Sequence, residues 1–330
     1  MKPFFSIIIP YHNSMDTTGR LLGSIQKSKQ APSYEVIVVD DGSKEKFKSR
    51  KSKVESRKQE TLRVVTLHKN MGPAVARNRG VNVARGKFVV FADSDVEFFS
   101  DTLANLAKIY HEDPDVVAVT GVWVKEQRSK AFFPNYKALR DWSYWINERD
   151  KSGYYFLFST RIASIKKTVF TRLGGFDESY PAPLVEDIEL TYRIARRYAI
   201  IFAPHVRVRH EFESFWPVAK KYFLRAYYWT KLYARRKKFD PVATTLQEAL
   251  TTISGVGVVL LFPLSLIGQI GQIGLICFFF LHLFLTRKFL AFMVREKGIV
   301  FAIKGFFMGL VLSCFIFAGA AMGRLKHTKL

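Results

Sequence analysis

The chain has 330 residues, with 51 Lys and Arg against 28 Asp and Glu, a formal net charge of +23, and 30 phenylalanines. So apolar a composition excludes a disordered chain, and the length admits one large domain or two smaller ones. A chain this basic meets nucleic acid, an anionic membrane surface or an anionic small substrate, and the distribution of charge decides among them. One basic run, KEKFKSRKSKVESRK (Lys44–Lys58), reads as a solvated loop. The other, Lys220–Lys238, lies just before a very apolar C-terminal third, which makes a membrane surface the leading partner. The basic residues follow no nucleic-acid recognition motif, so no nucleic-acid partner is expected. Cys277 and Cys314 both sit in apolar runs and read as small buried hydrophobes, not as a disulfide framework or metal site. The opening MKPFFSIIIPYHN is too short an apolar stretch for a signal peptide, so the first domain is expected to stay in the cytoplasm.

In chain order, the first strand is FFSIIIP (Phe4–Pro10), followed by a helix over Thr17–Ser28 with Leu21, Leu22 and Ile25 on one face. YEVIVVD (Tyr34–Asp40) and LRVVTL (Leu62–Leu67) are the next strands. A second helix over Gly72–Gly86 has Pro73 in its first turn and a glycine at its end. KFVVFAD (Lys87–Asp93) is a fourth strand. Continuous apolar strands suit a parallel sheet covered on both faces, and strands alternating with helices predict an α/β domain over residues 1–212. Residues 213–250 form a basic, aromatic helical linker suited to a membrane interface. From Thr251 to Leu285 there is no Asp, Glu, Lys or Arg, too long a run for one upright span of roughly 20 residues. GQIGQIG (Gly268–Gly274) divides it into two spans, about 251–267 and 270–286. A third apolar segment, about 299–323, is interrupted by Lys304 and followed by the basic tail RLKHTKL. Basic flanks on both sides of the hairpin place its open end in the cytoplasm. The tail conflicts with a third crossing, so that segment either spans, re-enters or lies along the interface.

Polar clusters collect where the strands end: PYHN (Pro10–Asn13), DDGS (Asp40–Ser43), the turn opening NMGPAVARNRG (Asn70–Gly80), and DSD (Asp93–Asp95). Ligands of open α/β sheets bind beyond the carboxyl ends of strands. Asp93 and Asp95, one residue apart in extended chain, point the same way and repel unless a cation lies between them. Hard oxygen ligands favour Mg2+ or Mn2+. Asp41 can accept hydrogen bonds from a nucleobase or ribose, or simply close a turn with Gly42. Arg77, near a helix N-terminus, suits phosphate. Later, Glu186 and Asp187 stand at the start of a helix, where a carboxylate can cap the helix or act as general base. His210 ends HVRVRH and is a candidate third metal ligand.

The ordered set SIIIPYHN, VIVVDDGS, NMGPAVARNRG, FADSD, GGFDES and VEDIELTYRIAR resembles the family 2 glycosyltransferases of GT-A fold over about residues 4–212. The resemblance implies a Rossmann-like mixed α/β sheet that binds nucleotide-diphospho-sugars, joined here to a C-terminal helical membrane region. It implies transfer of a sugar from a nucleotide-sugar with inversion, assisted by Mg2+ or Mn2+. Carried over residue by residue, Pro10, Tyr11, His12 and Asn13 with Asp41 match the nucleoside pocket. Arg77 matches the arginine near the donor pyrophosphate, and Gly72 belongs to the donor-binding set. Asp93 and Ser94 match positions near the ribose. Asp95, with Asp93 and His210, matches the metal site. Asp187 matches the catalytic base, with Glu186 as the other half of its E-D pair, and Asp177 and Glu178 match a loop near the acceptor. His12 departs from the aromatic or small residue common in the family, leaving base preference open. The Q-x-x-R-W motif of processive synthases is absent, which points to one sugar per encounter. The expected acceptor is a lipid-linked glycan or a lipid on the cytoplasmic face of the inner membrane. The alternatives are a transferase that builds a polyprenyl-linked sugar and an inactive sugar-nucleotide-binding membrane protein.

Overall fold

The apolar runs of the first hundred residues become one side of a mixed sheet. In the computed structural model, which describes residues 2–47, 60–148, 156–180, 184–237, 239 and 245–327, the strands are β1 (Phe5–Tyr11), β2 (Tyr34–Asp41), β3 (Glu60–Leu67) and β4 (Phe88–Phe91). β5 (Val96–Phe98), β6 (Ala118–Trp123), β7 (Ala163–Lys166) and β8 (Ile200–His210) follow. The order across the sheet is β3-β2-β1-β4-β7-β6-β8-β5. The first four strands run parallel, with Ile7 of β1 opposite Val36 of β2 and Val90 of β4. β7 enters antiparallel to both β4 and β6, and β5 pairs antiparallel with the end of β8. From β1 the chain moves outward to β2 and β3 and then returns to β4 on the other flank. The strand order therefore reverses at the β1/β4 boundary, where a crevice opens in folds of this kind.

Burial explains the continuous apolar reading. Ile7, Ile8 and Ile9 of β1, Ile37 to Val39 of β2 and Phe88 to Phe91 of β4 are all buried, on both faces of the sheet. α1 (Met15–Gln26) covers it with Leu21 and Ile25. α2 (Pro73–Val83) has Pro73 at its start and packs closely, because Gly80 leaves room for Ile8 and Val39. α3 (Thr102–Glu112) packs Leu103, Leu106 and Tyr110, whose ring stacks on Phe88 at 3.8 Å. Two further helices of this unit, α5 (Lys167–Arg172) and α6 (Glu186–Ala195), flank the β7–β8 half. All belong to a unit made of Met1–Val124 and Tyr154–Glu211. Most of the expected basic loop, residues 48–58, lies outside the described residues.

The second unit comprises Lys125–Gly153 and Phe212–Leu330. It holds α4 (Phe132–Ser143), continued by a π-helical turn Tyr144–Glu148, then α7 (Phe215–Arg236), α8 (Leu246–Ser265), α9 (Gln269–Lys297) and α10 (Ile299–His327). Its core joins Phe133, Tyr136 and Leu139 of α4, Val218 and Ala219 of α7, Phe289, Phe292 and Met293 of α9, and Ala302 and Leu312 of α10. Among the described residues, three helices are long and apolar enough to cross a membrane: Leu246–Ser265, Gln269–Lys297 and Ile299–Lys326. Their apolar side chains face outward, with Ile270 89% exposed. Cys277, read from the sequence as buried, is likewise exposed on α9, because that helix turns its apolar surface away from its neighbours.

Candidate functional site

The carboxylates of the DDGS cluster are spent on the backbone. Asp40 accepts the Ser43 N–H (3.0 Å) and the Phe47 N–H (2.8 Å), so it is Asp40 that closes the turn. Asp41 reaches across to α2 instead, accepting the Met71 N–H at 2.7 Å and the Gly72 N–H at 2.8 Å. The Asp41 carboxylate thus sits at the N-terminus of α2, where it satisfies the N–H groups that lead into the helix. Gly42, at φ 64°, admits this crossing, since a Cβ would overlap the Lys69–Asn70 peptide. Gly72, at φ 92°, makes the matching bend into α2.

The end of β1 is knitted to the same loops. His12 Nδ1 donates to the Asp41 carbonyl at 2.8 Å, a partner that can only accept. Its Nε2 is thereby the acceptor, with the amides of Asn13 (3.1 Å) and Asn70 (3.2 Å) beside it. Asn13, itself at φ 50°, donates its backbone N–H to Ser43 and accepts the Lys44 N–H. Tyr11 is buried with its hydroxyl on the Glu45 carbonyl; burial, reinforced by Asp40 and Glu45, pushes its phenol above the ordinary range. Pro10 is half-buried next to it. Residues 10–13, 40–44 and 70–72 thus form one connected rim.

Arg77 departs most from its sequence reading. A phosphate-facing guanidinium was expected, but the side chain is only 2% exposed and holds two carboxylates at once. Its Nη2 donates to Asp93 Oδ1 at 2.6 Å and its Nη1 to Glu186 Oε1 at 2.9 Å. Burial pulls its pKa down, yet Asp93 and Glu186 outweigh that and hold it above its ordinary value. Phe176 lies 5.5 Å from the guanidinium carbon. Glu186 is equally buried, and its second oxygen accepts the Leu184 N–H at 2.8 Å. The arginine is thus a bar between the end of β4 and the start of α6. A buried charge held this way needs every partner it has.

The remaining acidic groups stand nearer the surface. Asp93 is 29% and Asp95 44% exposed. Ser14 donates to the Ser94 hydroxyl between them. β5 lies against β8 with Val96 opposite His210, which brings His210 Nε2 to 3.3 Å from Asp95 Oδ2. This proximity comes from the pairing of β5 with β8, whose partners Val96 and His210 lie 114 residues apart, and could not be read from spacing. The expected trio of Asp93, Asp95 and His210 does not come together: Asp93 is turned to Arg77, and among the described residues no three His, Cys, Asp or Glu side chains are grouped to hold a metal ion. Two carboxylates with one imidazole nonetheless match the donor chemistry of Mn2+ or Mg2+, and Asp95 with His210 already forms a pair. Glu97 ion-pairs with Arg20 at 3.4 Å.

On the β7–α6 side, Asp187 occupies the first turn of α6, half-buried, with Oδ1 accepting the Ile188 N–H at 2.8 Å. Thr191 donates to the Asp187 carbonyl and accepts the Phe158 N–H. Asp177 caps its own loop through Ser179. Glu178 meets the Asn78 amide at 3.0 Å. Asn78 also brackets Phe176, donating to its carbonyl and accepting its N–H, both at 2.9 Å. Arg193, held by Glu189, donates to the Leu173 and Gly175 carbonyls. Gly174 and Gly175, at φ 83° and 70°, shape the same loop. Asn78, Arg193 and Ser14 went unremarked in the sequence. The only signal for Asn78 was its place one residue after Arg77.

The model for Glycosyl transferase family 2 matches residues 6–173. A putative teichuronic acid biosynthesis glycosyltransferase, TuaG of Bacillus subtilis, is 32% identical over 120 residues, 36% of this chain and 47% of that protein. The poly(ribitol-phosphate) beta-N-acetylglucosaminyltransferase TarS of Staphylococcus aureus is 34% identical over 123 residues, covering 36% of this chain and 21% of that one. The chain thus matches less than half the length of these relatives. Among solved structures, a mannosyltransferase of Pyrobaculum calidifontis, described in complex with GDP-Man and Mn2+, aligns with 99% of this chain and 88% of its own. The TM-score is 0.57 at 20% identity, a likeness of fold.

Proposed function

Since the chain belongs to glycosyl transferase family 2, we propose that it moves one sugar from a nucleotide-sugar to a hydroxyl of a lipid-linked glycan or lipid, with inversion, in the building of a cell-envelope glycan. The observation that carries the reading is the bar Asp93–Arg77–Glu186. It fixes the acidic end of β4 against the helix start that bears Asp187. In this reading the rim of residues 10–13, 41 and 70–72 takes the nucleoside, with base contacts from backbone and from His12 and Asn13. Asp93 and Ser94 face the ribose. Asp95 and His210 are the protein's ligands to a divalent cation, which when bound offsets charge on the diphosphate. Arg77 sets Asp93 and Glu186 in place and does not touch phosphate. Asp187 takes the proton from the acceptor hydroxyl as that oxygen attacks the anomeric carbon from the face opposite the leaving diphosphate. A one-step displacement of this kind inverts the centre, and a positioned base supplies roughly 10²–10⁴ in rate. Glu178, held by Asn78, and Asp177, capping its own loop, border the acceptor side.

The division into a catalytic domain, an interfacial linker and membrane helices belongs to the same proposal. The outward apolar faces of α8 and α9 support insertion, with their open end on the cytoplasmic face of the inner membrane. Uncharged residues fill the hairpin, and basic ones, Arg235, Arg236, Arg287 and Lys288, flank its open end.

The test is a thermal-shift screen of nucleotide-sugars on the full chain in detergent, with and without Mn2+. A donor that binds the native state raises the midpoint by mass action. One donor family should stabilise the protein only with the cation, and Asp95→Ala should lose that shift. Absence of any shift across donors, with the protein folded, would contradict the reading.

A further inference from the structure

α10 is long and apolar enough to cross a bilayer, but its contacts do not follow those of a third crossing. α8 and α9 form a regular antiparallel hairpin. Gly271 abuts Leu264 near the tip, Gly274 Leu261, Gly257 Phe278, and Ser254 hydrogen-bonds His282 at 2.9 Å halfway up. At the open end stand Glu248, in the first turn of α8, and Met293, near the end of α9.

Both halves of α10 return to that open end. On its first half, Gly305 lies against Met293 and Tyr136. On its second half, Gly319 is pressed on the Phe223 carbonyl of α7, with no room for a Cβ. The adjacent residue, Tyr222, has its ring 5.0 Å from the Arg140 guanidinium carbon, and Arg140 Nη2 is 4.0 Å from Glu248. Gly305 and Gly319 are about 21 Å apart along a helix at 1.5 Å per residue. A helix running down the hairpin would put the second far toward the tip. Between them, Phe306 packs on Phe279 and His282 and Ser313 lies against Gly255, all near the middle of the hairpin. α10 therefore lies across the hairpin.

α7 shows at what depth. It runs alongside α10 in the same direction: Phe215 meets Phe315, Phe223 meets Gly319, and Tyr227 and Thr230 meet Gly323. It carries Lys220, Lys221, Arg225, Lys231, Arg235 and Arg236, which suit the headgroup region and not hydrocarbon. α10 turns outward Ile303, Phe307 and Val311, spaced four apart on one face.

Resting on the membrane reading above, we propose that α10 lies in the plane of one leaflet, paired with α7. It presents its apolar face to the acyl chains there, and the chain's C-terminal end returns to the side from which α8 enters. Arg324 and Lys326 then sit beside the other basic flanks, and Lys304 reaches the headgroups by its flexible stem.

The test uses the full chain with Cys277→Ser and Cys314→Ser, and single cysteines at exposed positions: Ala234→Cys on α7, Gln269→Cys at the hairpin tip and Lys326→Cys near the C-terminal end. A membrane-impermeant maleimide is applied to sealed vesicles before and after permeabilisation. The expected result is that Lys326→Cys and Ala234→Cys label together and Gln269→Cys labels only from the opposite side. Labelling of Lys326→Cys with Gln269→Cys would overturn the proposal and leave the hairpin intact. Labelling of all three from one side would instead remove the crossing hairpin, and the proposal with it.

Discussion

The two units are built inside out from one another. In the first, Ile7, Ile8 and Ile9 are fully buried, and carboxylates gather at the strand ends. In the second, Leu266, Ile267 and Ile270 face outward, while Ser254, His282 and Ser313 are buried between helices. Water drives the first arrangement, since apolar area is removed from it. Packing and interhelical hydrogen bonds govern the second, because lipid is as apolar as the side chains it meets. The same difference separates the polar groups by task. Within the first unit the buried charges hold one another, and the half-exposed ones are those the proposed function assigns to ligand.

That contrast can be broken most severely at Arg77. Arg77→Met removes the bar and leaves Glu186 buried without its cation, a loss of about 3–5 kcal/mol in stability. Chemical denaturation of the full chain in detergent should show the first unit's transition moved accordingly. A loss below about 1 kcal/mol would mean that the bar does not hold the two carboxylates in place. A smaller effect is expected at Asn78. Asn78→Ala cuts three hydrogen bonds to the Phe176–Glu178 loop. The cost should be about 1–3 kcal/mol. Proteolysis within residues 174–180 should quicken while donor-dependent stabilisation persists. The smallest effect belongs to the lipid-facing unit. Ser254→Ala removes the bond to His282, worth about 0.6 kcal/mol between membrane helices. A loss of several kcal/mol, read by steric trapping or unfolding in detergent, would show that this unit is held by its polar contacts and not by packing.

How much of this was legible depended on how local the cause was. β1, β2 and β4 announced themselves because both sheet faces are covered, and the clusters at their ends followed from the parallel order. The β7–β8 half was not legible. Its strands mix directions, β7 antiparallel to β4 and β6 but β6 parallel to β8, and the 163–166 strand slots between β4 and β6 by pairings that span up to 78 residues. The burial of Arg77 was not legible for a related reason. α2 buries Ala74, Val75, Ala76, Gly80 and Val81 around it, so no polar face marks the arginine as internal. Its partner Glu186 is 109 residues away. The pairing of His210 with Asp95 had the motif HVRVRH and the family resemblance as hints, and the register of β5 on β8 brings the two side chains to 3.3 Å. In the C-terminal third, composition gave the apolar helices, but nothing in composition says that α10 lies across α8 and α9 and alongside α7.

The account turns on Asp187. The decisive measurement compares wild type and Asp187→Asn in single-turnover sugar transfer, with thermal shift by donor and Mn2+ read on the same samples. The account predicts an unchanged donor shift and turnover lower by roughly 10²–10⁴. Wild-type turnover in Asp187→Asn would contradict it.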